Sequence, residues 1–152
     1  MKVKNKHIGF NEPSITKNEY NYIKDALKNK HLSASGIFTK KCNNLFEKKL
    51  GVKKSILTSS CTHALEAASF LININPKDEV IVPSFTFVST ANAFAIRGAK
   101  PVFIDIREDT LNMDEKLLEN LITENTKAII PVHYAGVGCE MDVILKIARE
   151  NN

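Results

Sequence analysis

Apolar residues recur at helical spacing in the first third of the chain. A Thr16-x-x-Glu19 pattern, typical of a helix start, precedes Tyr20, Ile23 and Leu27 on one face, which predicts a helix over about residues 17–29. A second apolar face ends at Gly51, a residue suited to stopping a helix. Its members, which predict a second helix, are Phe38, Cys42, Leu45, Phe46 and Leu50.

From residue 54 onward, short apolar runs alternate with helical segments. The runs are SILT, EVIVP, PVFIDI and KAIIPV, and the helical segments are CTHALEAASFLI, FVSTANAFAIRGA, DEKLLENLI and MDVILKIAREN. Strands that alternate with helices predict an α/β fold with a mostly parallel sheet flanked by helices. Because the runs are continuously apolar, we expect both faces of each strand to be buried.

Composition narrows the class of protein. With 152 residues and 43% hydrophobic content, the chain is expected to form one folded unit. The net charge of +4 comes from scattered lysines without interleaved aromatic residues, which argues against nucleic-acid binding. Cys42, Cys61 and Cys139 are odd in number and widely spaced, so neither a disulfide framework nor a metal site is indicated.

The two ends of the chain carry separate expectations. No apolar run approaches the roughly 18 residues of a membrane span, and the basic start MKVKNKHIGF lacks the apolar region of a signal peptide, so a cytoplasmic protein without a membrane partner is expected. Asn152 follows a predicted helix at the point where another strand is due. We therefore expect an unpartnered sheet edge or helix face.

A hydroxyl-rich turn, residues 58–62 with the sequence TSSCT, joins the first predicted strand to its helix. In open parallel sheets, ligands bind beyond the carboxyl ends of the strands, where helix N-termini present unpaired N–H groups. This turn is therefore a candidate phosphate site. The alternative is a simple N-cap, in which Ser60 or Thr62 satisfies the first turn of the helix.

Two further strand ends carry residues suited to a ligand site. Phe85 and Phe87 follow the second predicted strand among hydroxyl residues, and an aromatic ring there can stack on a planar cofactor. His133 and Tyr134 follow the fourth, ahead of two glycines. Each of these residues has a structural alternative, the phenylalanines in the core and His133 as a hydrogen-bonded structural histidine. Their occurrence at three strand ends favours a site.

Three segments together resemble a known family. TSSCTHALEAA, DEVIVPSFTFVSTANAFAIRGAKPVFIDIREDTLNMDE and TKAIIPVHYAGVGCEMD closely resemble the DegT/DnrJ-type sugar-nucleotide aminotransferases. The resemblance implies that residues 1–152 are the N-terminal part of the large domain of a type I pyridoxal 5'-phosphate (PLP) enzyme. It also implies a homodimer that transfers an amino group from glutamate to the 4-keto group of dTDP-4-dehydro-6-deoxyglucose, giving a 4-amino-4,6-dideoxygalactose nucleotide.

The resemblance also assigns site residues by position. It implies that Ser60, Cys61 and Thr62 hold the cofactor phosphate. Phe87 would stack on the pyridine ring, with His133 also facing the cofactor. The residues that it places toward the nucleotide-sugar substrate are Phe10, Asn11 and Tyr134.

The family's two central catalytic groups have no counterpart among these residues. The resemblance places the Schiff-base lysine and the aspartate that holds the pyridine nitrogen beyond residue 152, so no catalytic residue is expected within the chain and it is expected to be inactive alone. Two alternatives stay open: a sugar-nucleotide dehydratase of the same family, in which histidine replaces that lysine, and a non-catalytic half of a split enzyme or assembly module. The lack of a G-x-G-x-x-G motif argues against a Rossmann nucleotide binder.

Overall fold

A computed structural model describes residues 12–151 of the chain. The sequence predicts one folded unit, whereas the structure divides into two compact units that meet in sequence between Leu57 and Thr58.

The first unit is built on two helices. Helix α1 spans Asn18–Lys28, and helix α2 spans Ile37–Leu50. Tyr22 and Phe38 join them edge to face, with ring centroids 5.4 Å apart. The predicted stop after α2 is confirmed, because Gly51 adopts a left-handed conformation with φ +64° that glycine reaches without steric cost.

The run Ser55–Thr58, predicted as the first strand, has no regular secondary structure, and that prediction is wrong. The side chains of α2 take the hydrogen bonds that a strand would give to its neighbours. The Ser55 N–H donates to Glu47 Oε1 (3.1 Å), and the Leu57 N–H donates to Asn43 Oδ1 (3.0 Å). An apolar run is therefore not sufficient for a strand, which also needs a pairing partner.

The second unit contains a parallel three-stranded sheet flanked by helices. The sheet has the order β2-β1-β3, and both strand pairs are parallel. Its elements, in chain order, are α3 (Cys61–Leu71), β1 (Glu79–Pro83), α4 (Val88–Ala95), β2 (Lys100–Ile104), β3 (Thr126–Ile129) and α5 (Met141–Glu150). Within the described residues, no helix is both long and apolar enough to cross a membrane.

Central strand β1 forms the middle of the core. Val80 and Val82 pack on one face of the sheet with Phe94 of α4, while Ile81 packs on the other with Ile144 of α5. The expectation of burial on both faces is confirmed for β1 only. Strands β2 and β3 are edge strands with partly exposed side chains, and Phe103 of β2 is 59% exposed.

The segment DEKLLENLI, predicted as one helix, forms two 3₁₀ turns instead, Glu115–Leu117 and Glu119–Leu121. The Asp114 side chain accepts a hydrogen bond from the Lys116 N–H at the first turn, and Leu118 between the turns is fully buried. The prediction of a helix here is wrong, because each turn is too short to propagate as an α-helix.

Candidate functional site

Three chain segments of the second unit meet in one cleft at the carboxyl ends of β1 and β3. The start of α3, the loop from β1 into α4 and the loop after β3 line its walls, and its volume is about 530 Å³. Ligand-binding clefts in proteins commonly have volumes of roughly 300–1,000 Å³. The parallel topology creates this meeting, because parallel strands bring their carboxyl ends to the same sheet edge.

The N-terminus of α3 forms one wall. Ser60 is its N-cap, and the Ser60 Oγ accepts a hydrogen bond from the His63 N–H at 3.1 Å. Thr58 Oγ1 donates to the Ser60 carbonyl oxygen at 2.8 Å, which fixes the turn. A helix leaves the amides of its first turn without intrahelical acceptors, and here these belong to Cys61 and Thr62, which line the cleft. This wall favours an anion.

The loop after β1 forms the second wall. Phe87 is the N-cap residue of α4 in an extended conformation, and this residue is 73% exposed although it lines the cleft. Thr86 and Thr90 share a hydrogen bond between their hydroxyl oxygens (2.9 Å). Thr90 and the neighbouring Ser89 are buried. An exposed aromatic face beside hydroxyl groups suits a planar ligand that carries polar substituents.

The loop after β3 forms the third wall with His133 and Tyr134. The Cys139 N–H donates to His133 Nδ1 at 3.0 Å, so in the neutral imidazole the proton is on Nε2, which makes Nε2 a donor. The Cys139 thiol donates to the Val132 carbonyl oxygen (3.2 Å), and burial raises the pKa of this thiol. His133 therefore offers a hydrogen-bond donor to a ligand.

Comparison with known protein families shows the family to which this chain belongs. Residues 13–152 match the family described as DegT/DnrJ/EryC1/StrS aminotransferases. The chain belongs to this aminotransferase family. The match confirms the resemblance stated from the sequence and the predicted α/β fold.

Individual members of the family are similar over nearly the whole chain. GDP-perosamine synthase from Caulobacter vibrioides is 41% identical over 92% of the chain. Spr1654 from Streptococcus pneumoniae, solved in its PLP form, is 36% identical over 92% of the chain with a TM-score of 0.83. The GDP-4-keto-6-deoxy-D-mannose-3-dehydratase of E. coli, solved with hydrated PLP, is 28% identical over 91% with a TM-score of 0.81.

The chain spans only part of these relatives. It covers 38% of the GDP-perosamine synthase, 36% of the solved Spr1654 chain and 37% of the solved dehydratase chain. The activity, substrates and partners of the whole enzymes are therefore proposals for this chain.

Most of the residues that the sequence indicated come together in the cleft. Those that line it are Cys61, Thr62, Phe87, His133 and Tyr134. Ser60 lies beside the cleft, where its hydroxyl caps α3. Phe10 and Asn11 lie outside the described residues.

Sequence reasoning did not single out two further groups of this site. Thr86, Ser89 and Thr90 also line the cleft, and the hydroxyl-rich run after β1 was their signal. Asn112, buried behind the loop after β3, was missed because an asparagine in a polar stretch carries no local sign of burial.

Proposed function

We propose that this chain provides the phosphate-binding and ring-facing walls of the PLP site in a sugar-nucleotide aminotransferase. The observation that carries the proposal is the meeting, in one cleft, of the α3 N-terminus, the exposed Phe87 ring and the His133 donor. The donor chemistry fits the cofactor, because PLP combines an anionic phosphate with a flat aromatic ring.

Each wall then has a separate role. The amides of Cys61 and Thr62, with the Thr62 hydroxyl, bind the phosphate and anchor the cofactor. Phe87 covers one face of the pyridine ring and excludes water from it. His133 donates a hydrogen bond from Nε2 toward the cofactor, and Tyr134 borders the substrate side. Bound PLP supplies an electron sink for moving an amino group between donor and acceptor.

The finer assignment extends this proposal to the complete reaction. The acceptor is dTDP-4-dehydro-6-deoxyglucose, the donor is glutamate, and the working enzyme is a cytoplasmic homodimer. The residues proposed here bind and orient the cofactor, and no Schiff-base lysine is assigned among them. Related proteins named for sugar products support the substrate class.

One alternative within the family has a specific observation in its favour, the likeness to the E. coli dehydratase. The aminotransferase is preferred because the identity is higher to the GDP-perosamine synthase (41%) than to the dehydratase (28%). A second alternative is a non-catalytic half of a split enzyme or an assembly module. Activity that returns on mixing with a separately produced C-terminal half would favour this second alternative.

NMR titration of the ¹⁵N-labelled chain with pyridoxamine 5'-phosphate tests the proposal. This ligand keeps the phosphate and the ring but has no aldehyde to react with surface lysines. We expect the amide signals of Cys61, Thr62 and Phe87 to shift. Pyridoxamine without phosphate should leave Cys61 and Thr62 unshifted.

A matched pair of variants sharpens this test. Phe87 and Val88 are both 73% exposed, but only Phe87 lines the cleft. We expect Phe87→Ala to weaken pyridoxamine 5'-phosphate binding by about five- to tenfold, the equivalent of a lost stacking contact, and Val88→Ala to leave binding unchanged. Shifts confined to residues outside the cleft, or equal effects of the two variants, would overturn the proposal.

A further inference from the structure

A tight hairpin follows β2 and ends at Asn112. The Arg107 N–H donates to the Asn112 carbonyl oxygen (2.9 Å), and the Leu111 N–H donates to the Arg107 carbonyl oxygen (2.9 Å). The Arg107 guanidinium also pairs with Asp109 (2.8 Å) and with the buried carboxylate of Glu115 (3.0 Å). Leu111 is held in a left-handed conformation at φ +61°. These contacts fix the backbone from which the Asn112 side chain projects.

The Asn112 side chain forms three hydrogen bonds with the loop after β3. Its Oδ1 accepts from the Tyr134 N–H (2.9 Å), and its Nδ2 donates to the carbonyl oxygens of Val137 (3.1 Å) and Gly138 (3.0 Å). Two carbonyl acceptors and one N–H donor are consistent only with this orientation of the amide. Asn112 is 2% exposed, so no bulk water competes for these bonds.

The loop after β3 depends on such support. It contains two left-handed residues, Ala135 (φ +51°) and Gly136 (φ +82°), and its own backbone closes only short turns. The loop ends at Cys139, whose N–H orients the His133 ring. Asn112 thus forms hydrogen bonds with both ends of the loop. One end is Tyr134, and the other is Val137 and Gly138, which directly precede the Cys139 N–H.

We propose that Asn112 is a positioning residue, which sets the places of Tyr134 and His133 in the cleft without touching the ligand. The value of that placement for ligand binding rests on the function proposed above. The placement itself does not depend on that function, and it can be measured in the ligand-free protein.

Asn112→Ala and Asn112→Asp separate the contributions of the side chain. Asn112→Ala removes all three bonds, and we expect the Tyr134 amide to exchange with solvent about tenfold faster or more. Asn112→Asp keeps an acceptor for the Tyr134 N–H but loses the donors to Val137 and Gly138. We expect it to retain most of the Tyr134 protection while altering the ¹⁵N signals of the His133 ring. Ser69→Ala, which removes a buried hydroxyl that bonds within α3, is the control and should change neither readout.

The ligand-free readouts decide the positioning role. Unchanged Tyr134 exchange and unchanged His133 ring signals in folded Asn112→Ala would overturn it, as would an unprotected Tyr134 amide in the unmodified chain, which needs no variant to fold. Titration with pyridoxamine 5'-phosphate then tests its consequence. We expect about tenfold weaker binding in Asn112→Ala, and equal affinity would overturn the claim that the placement serves the cleft. Lack of binding by the unmodified chain would contradict the proposed function and leave the exchange result to decide the positioning role.

Discussion

The rings of Phe85 and Tyr134 lie with centroids 5.0 Å apart and planes inclined at 49°. They come from two different loops, one after β1 and one after β3, and within residues 12–151 no second pair of aromatic rings joins these loops. Tyr134 is also held from behind by Asn112, so the ring pair joins a fixed loop to the loop that carries Phe87. The spacing between two cleft walls is thereby set by side-chain packing.

A double-mutant cycle measures this contact. We expect Phe85→Ala and Tyr134→Ala each to destabilise the second unit, with a coupling free energy of about 0.5–1.5 kcal/mol, the usual value of an aromatic pair. Tyr134→Phe keeps the ring and should retain the coupling. The free energies come from urea unfolding followed by circular dichroism. Strictly additive effects of the two alanine variants would show that the rings do not couple the loops.

Ser60 allows capping and anion binding to be separated. Ser60→Ala should destabilise the second unit by about 1 kcal/mol, because the His63 N–H loses its acceptor. Ser59→Ala, the matched control, removes an exposed hydroxyl bonded to the His63 ring and should change stability by less than about 0.5 kcal/mol. Both values come from urea unfolding.

The aspartate variant at the same position separates the two roles. Ser60→Asp keeps an acceptor for the cap, so stability should return toward that of the unmodified chain. Its negative charge would lie next to the amides of Cys61 and Thr62 that are proposed to bind the phosphate, so pyridoxamine 5'-phosphate should bind more weakly. If Ser60→Asp bound the ligand as tightly as the unmodified chain, the phosphate would not lie at this helix N-terminus.

Local patterns predicted the elements that pack by themselves. Strand β1 matches its predicted run EVIVP residue for residue, because a central strand buried on both faces has a continuous apolar signature. The end of α2 at Gly51 was likewise predicted correctly from the sequence. In the site, the N-cap alternative named Ser60 or Thr62, and the structure selects Ser60, whose Oγ accepts a hydrogen bond from the His63 N–H.

Features that depend on distant partners could not be predicted in this way. Whether Ser55–Thr58 becomes a strand depends on a neighbouring strand, and its N–H groups found side chains of α2 instead. The role of Asn112 depends on carbonyl groups 25 and 26 residues away in sequence. Periodicity contains no information on such contacts, so the cleft walls were predicted but the support behind them was not.

The acid response of the hairpin after β2 follows from Asp109. The hydrogen bond from Arg107 lowers the pKa of Asp109 from 3.8 to about 2. A carboxyl group whose pKa is lowered by folding stabilises the folded state at pH values above its ordinary pKa of 3.8. This contribution is lost as the pH falls from 3.8 through about 2. The stability advantage of the unmodified chain over Asp109→Asn should therefore disappear across that window in urea unfolding.

An NMR titration of the carboxyl groups provides the control for this pH dependence. In Arg107→Gln the pKa of Asp109 should rise toward 3.8. The pKa of Glu79, which is lowered by its own hydrogen bonds from Lys100 and Thr123, should not change. An unaltered pKa of Asp109 in this variant would show that Arg107 is not the cause of the shift.

The cysteines of the second unit should differ in reactivity. Cys61 is exposed at the cleft, whereas Cys139 is half-buried, and burial raises the pKa of its thiol. Because the thiolate is the reactive form, iodoacetamide should modify Cys61 first and Cys139 more slowly. Peptide mass spectrometry over a time course gives the rate for each cysteine peptide, and Cys61→Ser shows whether the Cys139 rate is independent of modification at Cys61.

Ligand protection extends the cysteine experiment to the cleft. Pyridoxamine 5'-phosphate should slow the modification of Cys61, whose amide is proposed to bind the phosphate, and should leave the rate of Cys139 unchanged. Equal protection of the two thiols would indicate a general stabilisation by ligand, which would contradict binding at the α3 N-terminus.

Gly136 and Gly138 form a matched pair in the loop after β3. Neither has an atom within 4 Å of an added Cβ, but only Gly136 has a left-handed backbone, at φ +82°. Gly136→Ala should therefore destabilise the second unit by about 1 kcal/mol through its torsion alone. Gly138→Ala should be neutral or stabilising by up to about 1 kcal/mol, because alanine restricts the unfolded chain.

Urea unfolding of the two glycine variants, each compared with the unmodified chain, decides whether torsion controls this loop. Equal destabilisation by both would mean that side-chain volume, not φ, limits the loop. A larger destabilisation by Gly136→Ala than by Gly138→Ala has a consequence for the cleft. The left-handed turn at Gly136 lets the loop bring the Tyr134 N–H to Asn112. Gly136→Ala should then also accelerate exchange of the Tyr134 amide, whereas Gly138→Ala should not.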